Sequence, residues 1–229
     1  MRPAVVLLSG GLDSATCLAW ARQRYSVHAL TVAYGQRHAV EVERAVAIAK
    51  RLAAASHRIV TVDMSFLRGS ALTDREIAVP KDRSDGEIAH GIPATYVPAR
   101  NTVLLSLALA WAESLEARDL VIGVNAIDFS GYPDCRPEFL RAFEALAAAG
   151  TRAGAQGDAW HVHAPLQHAT KADIVRQAVA LGVPLELTIS CYDPGQGGVP
   201  CGACDACLLR ARGFDEAGVV DPTDRRETR

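Results

Sequence analysis

The chain has 229 residues, a formal net charge of −2, and 49% hydrophobic against 22% charged residues, which is enough apolar material for one packed domain and too much for a disordered chain. A mild acidic balance argues against a protein that lives on a nucleic-acid backbone, which needs a basic excess. No apolar run approaches the roughly 20 residues of a membrane span, and with a predicted strand starting almost at once no signal peptide is expected; the expected location is the cytoplasm.

In chain order, Ala4-Val5-Val6-Leu7-Leu8 is an apolar run that reads as a strand. Ser9-Gly10-Gly11-Leu12-Asp13-Ser14 follows it directly, and a helical pattern runs over 15–24. Strand, tight glycine turn and helix start together leave unpaired N–H groups pointing into the turn, where an anion can accept from them. Ser9 and Ser14 add hydroxyl donors, and Asp13 adds a carboxylate suited to Mg²⁺ beside a polyphosphate. The Walker pattern and Gly-x-Gly-x-x-Gly are both absent; with both serines and the aspartate in place the turn reads as a different phosphate cradle, against the alternative of an ordinary Gly-Gly turn between a strand and a helix. A second strand is predicted over 27–33 and a helix over 39–54, with Val42, Val46, Ala49 and Ala53 on its buried face. A third strand covers 58–62. Alternating strands and helices with short connections predict a doubly wound, mostly parallel α/β sheet with right-handed crossovers, whose ligand lies beyond the carboxyl ends of the strands.

From 68 to 98 the periodicity dissolves into a polar, proline-containing segment, long enough to be a functional lid or a passive surface loop. A long apolar helix follows Arg100-Asn101, with Leu104, Ala108, Trp111 and Leu115 on one face. A fourth strand is expected over 120–124, a polar and aromatic loop over 125–139, a helix over 138–148, a short strand over 160–164 and a helix over 171–181. The alanine-rich stretch 145–155 has no assigned role. Arg100 and Lys171 flank helix starts at strand ends and are candidate polyphosphate cations, against the alternative of solvated surface charges. The loop offers Asp128, Phe129, Tyr132, Asp134 and Arg136 as possible ligand contacts, since it follows the end of a predicted strand. The competing reading of Asp134 and Arg136 is a cap for the following helix and a solvated charge.

Near the end, Cys191, Cys201, Cys204 and Cys207 stand in the frame Cys-x9-Cys-x2-Cys-x2-Cys among four glycines. Four thiolates at this density fit one structural tetrahedral Zn²⁺ per chain, with an iron–sulfur cluster as the alternative. Cys17 reads as a core residue. No composition break marks a second domain, so 1–229 is taken as one domain with a zinc-binding region at about 188–212.

The hexapeptide 9–14 resembles the PP-loop of the ATP pyrophosphatases, enzymes of the adenine nucleotide alpha hydrolase-like fold that cleave ATP to AMP and pyrophosphate while adenylating a substrate. With the four cysteines, the chain resembles the 7-cyano-7-deazaguanine synthase family over nearly its whole length. The resemblance rests on Ser9 to Ser14, Tyr34-Gly35-Gln36-Arg37-His38, Gly69-Ser70-Ala71-Leu72-Thr73, Val97-Pro98-Ala99-Arg100-Asn101 and Gly131 to Phe139, and continues through Pro165-Leu166, Thr170-Lys171, Ser190-Cys191-Tyr192 and Cys201 to Cys207.

It implies an ATP-dependent carbon–nitrogen ligase of queuosine biosynthesis. Such an enzyme turns 7-carboxy-7-deazaguanine and ammonia into the nitrile through acyl-adenylate and amide intermediates, at a cost of two ATP, and works as a homodimer. ATP is then expected along Leu8, Ser9, Gly10, Gly11, Leu12, Asp13, Ser14, Ala15, Thr16, Cys17 and Leu18, with Asp13, Ser14, Arg100 and Lys171 as the catalytic set. The substrate falls to Asp128, Tyr132, Asp134 and Arg136. No glutaminase domain fits in the chain, so ammonia comes free or from a partner. Two other readings compete: a PP-loop enzyme acting on tRNA (a thiolase or lysidine synthetase type), and a non-catalytic ATP sensor with a zinc-built surface. The acidic balance and the missing RNA-binding appendage count against the first; Asp13 and the polar loop count against the second.

Overall fold

A computed structural model describes residues 1–35, 40–89, 91–126 and 131–223. Five parallel strands form one sheet in the order β3-β2-β1-β4-β5: β1 Pro3–Leu7, β2 Ser26–Ala33, β3 Ser56–Thr61, β4 Asp119–Val121 and β5 His161–His163. The chain winds outward from β1 through β2 to β3, then returns to the other side of β1 for β4 and β5. The reversal between β1 and β4 is the switch point at which such sheets open a crevice.

Alternation along β1 builds both layers. Ala4, Val6 and Leu8 belong to one core with helices α1 (Leu12–Arg22) and α2 (Val40–Arg51) and two helices from the C-terminal part, α7 (Lys171–Ala180) and α8 (Asp205–Ala217). Val5 and Leu7 belong to the other, under α4 (Arg100–Ser114) and α5 (Pro137–Gly150). Side chains of successive strand residues point to opposite faces, and both faces here are covered. Among the described residues, no helix is long and apolar enough to cross a membrane.

Two helix faces differ from the sequence expectation. On α2 the buried residues are Ala45, Ile48 and Ala49, with Leu52 just beyond, whereas Val46 is 43% exposed. Small alanines let the helix sit close to the sheet, and the valines fall on its flank. On α4 the fully buried line is Leu105, Ala108, Leu109 and Ala112, with Leu104, Trp111 and Leu115 at its margin. This helix is apolar nearly all round, so periodicity alone does not fix its orientation.

The alanine-rich stretch is a helix break. Helix α5 stops at Gly150, Thr151 caps the short α6 (Arg152–Ala155) by accepting from Gly154 N at 3.0 Å, and the same hydroxyl accepts from buried Trp160 Nε1 at 2.9 Å. A side chain at Gly154 would run into the backbone of Ala148, so the bend requires glycine.

The segment 68–98 contains the short helix α3 (Asp85–Ala89) and is tied down at its middle. Lys81 forms an antiparallel bridge with Cys204, Asp82 N donates to Ala203 O at 2.8 Å, Lys81 pairs with Asp193 at 3.0 Å, and Arg83 makes a two-bond pair with Asp205. Ala71 and Val79 pack into a small third core with Cys191, Cys204 and Cys207. This segment is therefore fastened to the cysteine region while its ends run back toward the sheet.

Candidate active site

The crevice opens where the switch point predicts. Leu7 to Ser9 enter it from the end of β1, and Ile122 to Asn125 from the end of β4. Strand β4 stops at Val121, earlier than expected, because the next four residues leave the sheet to line this wall; Ile122 N still donates to His163 O at 3.0 Å. Gly123 passes so close to the glycine turn that an added Cβ would stand 3.1 Å from Ser14 N.

The turn itself is built on two glycines. Gly10 has φ +90°, and a Cβ there would strike the Glu41 carbonyl oxygen, so only glycine fits on both counts. Gly11 is the N-cap of α1 and supplies no side-chain cap. Ala15 N donates to Gly11 O at 3.0 Å, so the N–H groups of Leu12, Asp13 and Ser14 lie ahead of the helix's own ladder. Ser9 Oγ and Ser14 Oγ are 3.1 Å apart, and Ser14 Oγ donates to Gly11 O at 3.0 Å, which closes the turn into a hydroxyl-rimmed ring. These are the features of an anion cradle.

Asp13 and Lys171, 158 positions apart in sequence, meet at the rim. Lys171 Nζ lies 2.9 Å from each Asp13 carboxylate oxygen, and Asn125 Nδ2 donates to Asp13 Oδ2 at 2.7 Å. Lys171 is the first residue of α7, whose start is fixed by a capping box: Thr170 Oγ1 accepts from Asp173 N and Asp173 accepts from Thr170 N. The carboxylate thus already holds one cation, the Lys171 ammonium, and its oxygens are donors of the kind Mg²⁺ prefers.

Arg100 lines the same cavity from the start of α4, where Ala99 adopts a left-handed conformation at φ 53° and turns the chain into the helix. Its guanidinium lies beside the Tyr34 side chain. Burial works against its charge, but Tyr34, Cys135 and Tyr132 around it more than offset that, and its pKa is raised. Burial pushes the Tyr34 phenol up in turn. Glu41, in the first turn of α2, also lines the cavity, and burial pushes its carboxyl up to about 7 against the opposing pull of Arg100.

Of the other expected ATP contacts, Leu8, Ser9, Gly11, Leu12 and Ser14 line the cavity, whereas Ala15, Thr16, Cys17 and Leu18 are buried in α1 behind the loop. Cys17 Sγ donates to Ile122 O at 3.7 Å, consistent with a core thiol.

The substrate loop divides. Tyr132 lines the cavity, with its hydroxyl 2.9 Å from Thr95 Oγ1 and its ring 6.0 Å from that of Tyr96. Asp134 is buried, and its Oδ2 accepts from Asn101 N at 2.9 Å, while Asn101 Nδ2 donates to Asp134 O at 3.0 Å. Its carboxylate is therefore committed to the first turn of α4, not to α5, which follows it. Arg136 is exposed at the N-cap of α5. Asp128 and Phe129, like Gln36, Arg37 and His38, lie outside the described residues.

The four cysteine sulfurs lie within 4.8 Å of one another. Backbone N–H groups of Cys201, Asp193 and Cys204 donate to the sulfurs of Cys191 and Cys201 at 3.2 to 3.4 Å. Four converging sulfurs with donated N–H bonds fit a closed, tetrahedral metal site. The cluster also reaches the cradle: Ile189 N donates to Gly10 O at 3.0 Å, and Ser190 and Tyr192 line the cavity on either side of Cys191.

Asn125, Glu41 and Ile189 escaped the sequence reading. Asn125 had one usable signal, a polar residue at the end of the strand that faces the cradle across the switch point.

A family model described as "Queuosine biosynthesis protein QueC" matches residues 3–218. A curated relative in Anaeromyxobacter sp. (strain Fw109-5), named 7-cyano-7-deazaguanine synthase, is 62% identical over 221 residues, covering 96% of this chain and 94% of its own. Relatives of the same name in Myxococcus xanthus (strain DK1622), 56% identical over 97% of each chain, and in Azoarcus sp. (strain BH72), 58% identical over 96% of this chain and 95% of its own, agree.

Proposed function

The chain belongs to the QueC family of queuosine biosynthesis proteins, and from that premise we propose that it is an ATP-dependent carbon–nitrogen ligase converting 7-carboxy-7-deazaguanine and ammonia into 7-cyano-7-deazaguanine. The observation that carries this reading is the meeting of the open N–H groups of residues 12–14 with Asp13 and Lys171 at the switch point of the sheet. A carboxylate oxygen is a poor leaving group. Its attack on the α-phosphorus of ATP expels pyrophosphate and gives an acyl-adenylate; ammonia adds to the acyl carbon and AMP departs, leaving the amide. A second ATP adenylates the amide oxygen, and AMP leaves with it as the nitrogen gives up its remaining protons to form the nitrile.

One cradle serves both adenylations. The N–H groups and the Ser9 and Ser14 hydroxyls hold phosphate oxygens, and Lys171 and Arg100 offset the charge that develops on the pyrophosphate. Asp13 would hold Mg²⁺, which supplies further charge neutralisation there. Cys191, Cys201, Cys204 and Cys207 would hold Zn²⁺ as a structural ion within the single domain. In this reading Tyr132, which lines the cavity, stacks on the deazaguanine ring, Asp128 is the remaining candidate for its amino edge, and the segment 68–98 covers the adenylates. Cytoplasmic placement and a homodimer complete the reading.

The test is ATP–pyrophosphate exchange dependent on the deazapurine acid, without tRNA. Wild type should exchange, and Asp13→Asn should lose about 100-fold or more while remaining folded. Exchange by Asp13→Asn at the wild-type rate would remove Asp13 from the chemistry; wild-type exchange that needs tRNA would overturn the substrate.

A further inference from the structure

Helix α8 carries a glycine in its interior, Gly213, which is buried and right-handed. Glycine is the poorest helix former after proline, so its place there needs a cause. The cause is Lys171. A Cβ built on Gly213 would collide with Lys171 Cγ and stand 2.9 Å from its Cβ and 3.1 Å from its carbonyl carbon. We infer that Gly213 is a positioning residue for adenylation: the space where its side chain would be holds the stem of Lys171 and aims Nζ at Asp13 and the phosphate cradle. The inference rests on the ATP chemistry proposed above.

Neither neighbour can yield. The Lys171 backbone is fixed by the Thr170–Asp173 capping box. Helix α8 is held by Phe214, 2% exposed in the first core, and by Arg210, whose guanidinium holds Asp221 at 2.6 and 2.9 Å and donates to Thr188 Oγ1 at 2.9 Å. At its start α8 carries Cys207, with Cys204 as its N-cap. Gly213 lies six residues beyond Cys207, about 9 Å along the axis. The helix is thus a strut from the cysteine cluster to the stem of Lys171. A lysine stem has four rotatable bonds, and a clamp at Cβ and Cγ decides which way the ammonium leaves.

The experiment is a double-mutant cycle of Gly213→Ala and Lys171→Ala, read by acid-dependent ATP–pyrophosphate exchange and by melting temperature. Gly213→Ala should lower exchange by about 100-fold in the wild-type background, the scale of a ~1 Å misplacement, and by less than about 2-fold in the Lys171→Ala background. Equal losses in both backgrounds, or full exchange by Gly213→Ala, would overturn the inference while leaving the function intact. Full exchange by Lys171→Ala alone would instead overturn the use of this lysine in the chemistry. Should Gly213→Ala not fold, Lys171→Gly supplies the comparison: with the stem removed, adding Gly213→Ala should leave the melting temperature equal or higher, and a lower value would overturn the clamp.

Discussion

Glu41 sets a pH dependence whose sign and size follow from its surroundings. It sits in the first turn of α2, where the helix dipole should favour a carboxylate, yet burial raises its carboxyl from 4.5 to about 7 and Arg100 only partly opposes this. The folded protein therefore keeps a proton that the unfolded chain releases. The stability this proton contributes is complete below the unfolded value of 4.5, falls as pH rises through about 7, and is gone above it. Full development of that shift is worth at most ~3 kcal/mol, which for a chain of this length is a fall of roughly 6–12 °C in melting temperature. Glu41→Gln keeps the shape and removes the titration. The assay is thermal unfolding of wild type and variant from pH 4.5 to 8.5. The two should agree at the acid end, and the variant should be the more stable by several degrees at pH 8. His28 and His57, whose pKa values burial lowers, destabilise the fold on the acid side in both proteins, so the difference curve isolates Glu41. Parallel curves across the range would refute the assignment.

Two other perturbations probe how the segment 68–98 and the cysteines are held. Arg83→Ala leaves Asp205, whose side chain is 8% exposed, without its two-bond partner; the cost should be about 2 kcal/mol, and trypsin should cut after Arg75 and Lys81 several-fold faster than in wild type, whereas equal rates would show that the Lys81–Cys204 bridge and the Val79 contact suffice alone. Cys204→Ser should lose metal and melting temperature together, because metal binding is partly folding energy; a variant that keeps one metal per chain, or a wild type with the visible absorption of an iron–sulfur cluster, would overturn the zinc assignment.

The sheet was legible because each buried strand is a short apolar run and the first three are joined by short links. Helix faces were less so. Val42 and Val46 look like a core stripe, but Ala45 and Ile48 are what the sheet accepts. The shape of the glycine turn was legible because its N–H groups and hydroxyls come from six consecutive residues, so spacing alone encodes the geometry. What acts across the chain was not. Asp134 caps a helix that begins 34 residues earlier in the chain, through Asn101 N, and nothing in the local pattern distinguishes that from a cap for α5. Gly213 reads as a helix weakened for no reason until Lys171 is placed against it.

The two strongest motifs, at opposite ends of the sequence, are one construction in the fold. The peptide Ile189-Ser190-Cys191-Tyr192 runs beside the glycine turn, with Ile189 N bonded to Gly10 O and Ser190 and Tyr192 facing the cavity. The same cysteine cluster fastens the segment 68–98 through Lys81 and Asp82, and it starts the helix that presses on Lys171. An adenylating site must keep its nucleotide cradle, its cation and its water-excluding cover in register while two ATP pass through it. Loops and strand ends have many small motions open to them; four sulfurs within 4.8 Å, once bridged by a metal, have few. The cluster touches the cradle and the helix against Lys171, and it fastens the segment 68–98 proposed above as the cover. Its loss should therefore lower adenylation even in molecules that remain folded.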